Sequence, residues 1–143
     1  GGRTTSTEDR RRTEFARKES YVTLANIDGV RIDHLRMWIP SAVYAEYPRS
    51  ALSLHNVENV DLSHVGLVCD AQDRRAPVVL LEDCRHALLS GCRATPGTGV
   101  FLKVGGNKSE GISLAGNDLR LAAKAVEVDS KVKQAAVKRQ PDP

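Results

Sequence analysis

One short pattern of residues recurs along the chain, and this repetition restricts the possible folds more than any other feature. The pattern runs from Ala51 to Leu67 and again from Val78 to Ala94, and an earlier copy starts at Tyr21. Set in register, the copies form four apolar columns: Leu24, Leu54 and Leu81; Ile27, Val57 and Cys84; Ile32, Leu62 and Leu89; Leu35, Val65 and Cys92. Self-similarity over a few tens of residues is the signature of a repeat architecture.

Apolar and polar residues alternate within each copy. Val22 and Leu24 are followed by Val30 and Ile32, with polar residues between them and turn-forming Asn26 in the middle. Alternation over three or four residues predicts short β-strands, and strands separated by recurring turns indicate a coil whose copies stack about 4.8 Å apart. We therefore predict an all-β fold, a single-stranded right-handed parallel β-helix of about four to five coils.

The copies are unevenly spaced, which indicates insertions. They start at Tyr21, Ala51 and Val78, with a fourth near Val100, so the offsets are 30, 27 and 22 residues. We interpret the shortest offset as the bare coil and the excess as inserted residues.

The two insertions lie between copies of the pattern. The first spans residues 37–50, where Ser41 is placed to cap a short helix through Tyr47. The second, residues 70–77, is polar and is predicted to be a surface loop. Insertions at one corner of successive coils lie side by side, so this corner is the predicted binding surface.

Leucine-rich repeats are the main alternative, because residues 112–119 alone fit that pattern. Leucine-rich repeats place an Asn at the same position of each repeat, whereas the positions that match Asn117 in the earlier copies are apolar. Asn26, Asn56 and Asp83 instead share a different column. A polar ladder at a turn between strands is expected of a parallel β-helix.

The two ends of the chain differ from the repeats. Residues 1–19 are dense in charge and contain few apolar side chains, so we predict a flexible lead-in or loop there. Residues 20–130 hold the coils, and the basic residues 131–143 are predicted to be a tail or terminal cap. No initiator Met and no capping segment are evident before Tyr21, so we expect a fragment of a longer helix.

Composition narrows the possible partners. The chain has 21 basic and 18 acidic residues, and the basic ones cluster mainly at its two ends, so no nucleic-acid partner is predicted. No run approaches the roughly 18 apolar residues of a membrane span. The three cysteines are an odd number, which excludes a full disulfide framework. Cys84 and Cys92 are expected in the core, and no cofactor is expected because no ligand spacing for one is present.

Three segments resemble the last coils of the polygalacturonase-like group, glycoside hydrolase family 28, among the pectin-lyase-like β-helices. They are Ser20-Tyr-Val-Thr-Leu-Ala-Asn-Ile-Asp-Gly-Val-Arg-Ile-Asp-His-Leu-Arg-Met37, Glu46-Tyr-Pro-Arg-Ser-Ala-Leu52 and Val79-Leu-Leu-Glu-Asp-Cys84. The resemblance covers residues 14–128. It implies the carboxy-terminal segment of a glycoside hydrolase that acts on pectin-like acidic polysaccharide outside the cell or in the periplasm, with a polysaccharide or oligosaccharide as the partner.

The catalytic motifs of the resembled family are missing from this chain. That family uses Asn-Thr-Asp and Asp-Asp, helped by Gly-His-Gly and Arg-Ile-Lys. Here the nearest segments are Asn26-Ile-Asp28, Arg31-Ile-Asp33 and Ser63-His-Val-Gly66, and no two Asp residues are adjacent. No catalytic residue is therefore assigned, and this chain alone is not expected to be active. The alternative is a non-catalytic β-helix that binds glycans or acts as a surface adhesin.

Aromatic and arginine residues of the insertions are the candidate substrate-binding residues. Aromatic rings pack on sugar rings, and guanidinium groups hold carboxylates through paired hydrogen bonds. The candidates are Trp38, Tyr44, Tyr47, Arg49, Arg74 and Arg75. The alternative for the aromatic rings is structural, because they can also fix the insertion to the coil surface.

Two further columns hold ionisable residues. Asp28 and Glu58 share a column with Arg85, and we interpret this column as charge matching between coils. His34 and His64 also share a column and face outward, but the sequence offers no third ligand beside them. They are therefore interpreted as surface histidines, and no metal site is predicted.

Overall fold

A computed structural model describes residues 20–44, 49–70 and 76–140, and these form a parallel β-solenoid of about four turns with almost no helix. A short helix, α1, spans Ser41–Tyr44, and a 3-10 turn spans Gln134–Ala136. The strands of this part of the chain are β1 (Ser20–Asp33), β2 (Arg36–Trp38), β3 (Ser50–Ser63), β4 (Gly66–Val68), β5 (Val79–Glu82), β6 (Arg85–Ser90), β7 (Val100–Gly105), β8 (Glu110–Ala115), β9 (Lys124–Val128) and β10 (Val137–Arg139).

The strands stack in three layers, and every pairing between them is parallel. The first layer contains the first part of β1 and of β3, then β5, β7 and β9. The second contains the rest of β1 and β3, then β6, β8 and β10. The third pairs β2 with β4 and continues as a bridge between Arg93 and Asp118. One passage through the three layers is one coil, so β1–β2, β3–β4, β5–β6 and β7–β8 belong to coils 1 to 4. The predicted parallel β-helix is confirmed.

The pairing register confirms the apolar columns. Leu24 is opposite Leu54, which is opposite Leu81, and the same register holds for the second layer. One start point differs, because Val79 pairs with Leu102, 23 residues further on. The fourth copy therefore begins at Phe101, one residue later than the sequence predicts.

The apolar columns fill the interior of the coils. Leu54 and Leu81 are fully buried, whereas Leu24 of coil 1 is only partly buried. Among the described residues β1 pairs with β3 alone, so coil 1 is covered on one side only. Cys84 and Cys92 are core residues as predicted, and burial raises the pKa of both thiols. The three cysteines all lie within the described residues, and none of them forms a disulfide.

Three corner columns of residues in the left-handed backbone region bend each coil: two near the passage from the first layer to the second, and one between the second layer and the third. The first corner column is Asn26, Asn56, Asp83 and Gly106; the second is Gly29, Asn59, His86 and Gly111; the third is His34, His64, Gly91 and Gly116. The φ angles of the non-glycine members lie between 54° and 61°. Asn, Asp, His and Gly tolerate this conformation best. The predicted ladder is present at the first corner, where the Asn56 amide donates to Asn26 Oδ1 at 2.8 Å.

The two insertions touch each other, as the repeat spacing predicts. The Ser41 backbone N–H donates to Asp70 Oδ1 at 2.7 Å, and the Tyr44 hydroxyl donates to the Ala76 carbonyl at 2.7 Å. The predicted short helix is present as Ser41–Tyr44, and the rest of its predicted length, through Tyr47, lies outside the described residues.

Part of the segment predicted to be a tail or terminal cap is a strand. Within residues 131–143, β10 pairs with β8 through Val137 opposite Ile112, and the Gln140 N–H donates to the Leu114 carbonyl at 2.9 Å. This segment therefore extends the second layer beyond residue 130, where the sequence predicts that the coils end. Its single apolar residue, Val137, gives no alternating pattern from which a strand is recognisable. The predicted lead-in, residues 1–19, lies outside the described residues.

Candidate functional site

A depression lies on the outer surface of the third layer, beside the third corner. Its cavity volume is about 480 Å³, within the usual range of small-molecule sites. We call it the basic groove, and its lining residues are His34, Arg36, His64, Val65, Gly66, Leu67, Val68, Gly91, Arg93 and Thr95. Gly66 and Gly91 contribute no side chains, so the surface is low where they lie and higher at their neighbours.

Two arginines flank the groove. Arg36 of coil 1 is opposite Gly66 of coil 2 in the parallel register, and a Cβ on Gly66 would lie 3.5 Å from the Arg93 carbonyl of coil 3. The two arginines are thus separated by two coil spacings, about 9.6 Å. Both are exposed, and within residues 20–44, 49–70 and 76–140 neither forms an ion pair. The charge of Arg36 is thus available to an anionic ligand, whereas that of Arg93 is partly balanced by its electrostatic interaction with Asp118.

Trp38 lies next to the groove: it is not one of the lining residues, but Arg36 of the same strand and its pairing partner Val68 are. Its side chain is 70% exposed although it is large and apolar. The Arg36 guanidinium carbon lies 5.9 Å from the centre of the indole ring, within the range of a cation–π contact. An exposed aromatic face beside a guanidinium group is therefore present on this surface.

Two histidines that line the groove lie beside a carboxylate, Asp33, at the third corner. The rings of His34 and His64 stack, with centroids 4.3 Å apart and planes inclined by 7°. Asp33 Oδ1 lies 3.0 Å from His34 Nδ1 and 3.4 Å from His64 Nδ1. A hydrogen bond from the Ser63 hydroxyl, followed by those from the two histidines, lowers the pKa of Asp33 to about 2. Asp33 is therefore ionised at neutral pH.

A second carboxylate lies beyond Arg93. Asp118 is opposite Arg93 in the third layer, and its two oxygens accept hydrogen bonds from Arg120 at 2.9 Å each. This pairing with Arg120 lowers the pKa of Asp118 to about 2. Asp118 therefore lies at the end of the basic groove next to Arg93, and its carboxylate is already paired with Arg120.

The structure separates the candidate binding residues that the sequence brings together. Trp38 lies beside the groove, next to Arg36, but Tyr44 is 5% exposed and fixes the first insertion to the second through its hydroxyl. Tyr44 therefore offers no ring face to a sugar, in agreement with the structural alternative. Arg49 is paired with Glu82, away from the groove lining. Tyr47, Arg74 and Arg75 lie outside the described residues.

Sequence reasoning missed the groove residues Arg36, Arg93 and Thr95. Arg36 and Arg93 fall in one register column, with a glycine between them in coil 2. In the sequence, the order Arg, Gly, Arg at this position of successive coils is the pattern that could have indicated a basic depression.

The column of Asp28, Glu58 and Arg85 is matched in charge, as predicted. Arg85 Nη2 lies 3.7 Å from Glu58 Oε1, and the Asn59 amide donates to Asp28 Oδ1 at 2.9 Å. The two carboxylates thus have partners of their own, and this column carries no acid–base pair for hydrolysis.

Fold and site together define a parallel β-solenoid with a basic groove on one outer face. No protein-family model, curated protein or solved structure matches the chain. Among the helices of the described residues, none has the length and apolar character needed to cross a membrane.

Proposed function

We propose that this chain is a glycan-binding β-solenoid segment of a carbohydrate-active protein, and that its basic groove binds an acidic oligosaccharide. The observation that carries the proposal is the pair Arg36 and Arg93 on either side of a depression, with the exposed ring of Trp38 beside them. Arginine holds carboxylates through two parallel hydrogen bonds, and aromatic faces offer the apolar surface on which a sugar ring packs.

The spacing of the two arginines favours a polymer over a single acid. Because they lie two coils apart, one chain that bears several carboxylates can contact both at once, and Thr95 and the backbone at Gly66 provide polar and open surface between them. Two contacts made by one ligand raise its affinity because the second forms within the same complex. A neutral sugar has no carboxylate and therefore forms neither of these contacts with the two guanidinium groups.

The proposal includes a polygalacturonase-like parent, on the basis of the resemblance of segments 20–37, 46–52 and 79–84, and with it a location outside the cell or in the periplasm. Hydrolysis is not assigned to this chain, since its sequence lacks the family's catalytic motifs. An adhesin-type solenoid without catalytic residues would use the same groove, and the two kinds of parent differ in the presence of catalytic coils.

Calorimetric titration tests the proposal directly. The chain is titrated with oligogalacturonates and with neutral oligosaccharides of equal length, in buffer that contains EDTA. We expect binding of the acidic series alone. Arg36→Ala and Arg93→Ala each weaken it about tenfold or more, because a hydrogen bond to a charged group contributes about 1.5–3 kcal/mol. Trp38→Ala weakens it less.

Two variants serve as matched controls. Arg31→Ala removes an exposed positive charge from the second layer, outside the groove, and Arg49→Ala removes a candidate arginine that is paired with Glu82. Both are expected to bind as the unsubstituted chain does. Equal losses in Arg31→Ala and Arg36→Ala would show attraction by net charge alone and would overturn the assignment to the groove, as would a folded chain that binds no acidic oligosaccharide.

A further inference from the structure

The side chains at the third corner are arranged like the ligands of a metal ion. Asp33 Oδ1 lies 3.0 Å from His34 Nδ1 and 3.4 Å from His64 Nδ1. Bonds of about 2.0–2.2 Å from a metal ion to nitrogen and oxygen place neighbouring ligand atoms about 2.9–3.4 Å apart. We propose that Asp33, His34 and His64 bind a divalent transition-metal ion such as Zn²⁺. The sequence alone predicts no metal site because it shows no third ligand, and Asp33 is that ligand.

Of coils 1 to 4, only coils 1 and 2 carry a side chain at the third corner, and in both it is histidine. His34 and His64 have φ angles of 61° and 54°, in the left-handed region, which His tolerates but which is less favourable for it than for Gly. In coils 3 and 4 the same corner is occupied by Gly91 and Gly116, which adopt it without strain. The third corner of coils 1 and 2 therefore presents an imidazole side chain where coils 3 and 4 present none.

The scaffold holds the two histidines one coil apart. The His34 N–H donates to the Ser63 carbonyl at 2.9 Å, and the His64 N–H donates to the Ser90 carbonyl at 3.0 Å. The Ser63 hydroxyl donates to Asp33 and orients its carboxylate. Partners of this kind hold the ligands of metal sites in position. The β-ladder thus fixes the backbone positions of the three ligands before any ion binds.

The side chains have the freedom that binding requires. The three ligand atoms lie within 4.8 Å of one another, so the two imidazole nitrogens must approach slightly and the stacked rings must turn out of their parallel arrangement. The side chains of His34 and His64 are 70% and 53% exposed, so the rings turn into solvent without meeting the core. Water fills the remaining coordination positions on the open side.

The donor set selects the kind of ion. Two imidazole nitrogens and one carboxylate oxygen suit Zn²⁺, Ni²⁺ and Cu²⁺, whereas Mg²⁺ and Ca²⁺ prefer oxygen ligands alone. Affinity is expected to be higher for Cu²⁺ than for Zn²⁺, following the general order for first-row ions.

Gly91 provides a way to disturb the site without removing a ligand. A Cβ on Gly91 would lie 2.7 Å from His64 Nε2, so Gly91→Ala displaces the His64 ring. Gly116 occupies the same corner at a similar φ, 70° against 65°, but a Cβ there meets nothing within 4 Å. Gly116→Ala therefore imposes the same backbone strain while it leaves the histidines untouched.

Calorimetric titration with ZnCl₂ at about pH 7.5, where free imidazole is mostly neutral, tests the proposal without any sugar. We expect one ion per chain. His34→Gly and His64→Gly keep the corner unstrained, and each is expected to weaken binding at least about tenfold, as is Asp33→Asn. Gly91→Ala weakens binding, and Gly116→Ala does not. Bound Cu²⁺ is expected to show nitrogen hyperfine coupling from two imidazoles in its electron paramagnetic resonance spectrum.

His86→Gly is the control for histidine itself, because His86 is another exposed histidine with a positive φ, at the second corner. The proposal is wrong if the folded chain binds no Zn²⁺, or if His86→Gly weakens binding as much as His34→Gly does. Retained binding after both third-corner histidines are removed also overturns it. Since the sugar titration is run with EDTA and the metal titration without sugar, either proposal can fail while the other stands.

Discussion

The outer face of the first layer is covered, whereas the outer face of the third layer is exposed. On the first layer, Val78 and Phe101 form a column that points away from the coil interior and is nevertheless buried, and the two insertions meet beside it through Tyr44. On the third layer, Arg36 and Trp38 are exposed. Both faces belong to the same stacked coils, so the position of the insertions decides which face is covered and which remains open to a ligand.

The largest expected effect is a difference in the free energy of unfolding between a variant of the covered face and a variant of the open face. Phe101→Ala removes a fully buried ring from the covered face and is expected to lower the free energy of unfolding by about 3–5 kcal/mol. Trp38→Ala removes an exposed ring from the open face and is expected to change it by about 0.5 kcal/mol or less. Urea unfolding monitored by circular dichroism measures both. Similar losses in the two variants would show that the third layer is covered as well.

A smaller effect is expected where the insertions are joined. Tyr44→Phe keeps the buried ring but removes the hydroxyl that donates to the Ala76 carbonyl at 2.7 Å. The expected loss in free energy of unfolding is about 1 kcal/mol, the usual net contribution of one such hydrogen bond. Binding of acidic oligosaccharide should be unchanged, since Tyr44 does not line the groove. Reduced binding with unchanged stability would reverse the roles assigned to Tyr44 and Trp38.

The smallest effect concerns the open face and depends on pH. The pKa of Asp118 is lowered from 3.8 to about 2 by Arg120, so the ionised carboxylate stabilises the folded state above pH 3.8. This contribution is lost as pH falls toward 2. The difference in stability between the unsubstituted chain and Asp118→Asn should therefore shrink between about pH 4 and pH 2, and urea unfolding across that range measures it. A difference that stays constant over this interval contradicts the assignment.

Much of the fold is predictable because it depends on residues that repeat. The columns of Leu24, Leu54 and Leu81 and of Asn26, Asn56 and Asp83 are visible in the sequence, and the observed register pairs them as expected. Elements that do not repeat were harder to predict. β10 has one apolar residue, and its strand form depends on pairing with β8 rather than on its own pattern.

The site is less predictable, because its parts come together through backbone geometry. In a strand, Asp33 and His34 would point to opposite faces. The positive φ of His34 ends this alternation and brings its ring to within 3.0 Å of the Asp33 carboxylate. Trp38 and Tyr44 are likewise neighbours in sequence, but one is exposed at a strand and the other is buried in α1. Composition does not distinguish two such aromatic residues.

The corner columns also give a rule for building on this scaffold. Every position of the three corner columns in coils 1 to 4 is occupied by Asn, Asp, His or Gly with positive φ. In solenoids each repeat contacts only its neighbours, so a duplicate coil that keeps these three positions can be inserted between coils 3 and 4. Such an insertion lengthens the molecule by about 4.8 Å and leaves both outer faces in register. Surface groups in the same column are therefore separated by whole multiples of the coil spacing, about 4.8 Å each.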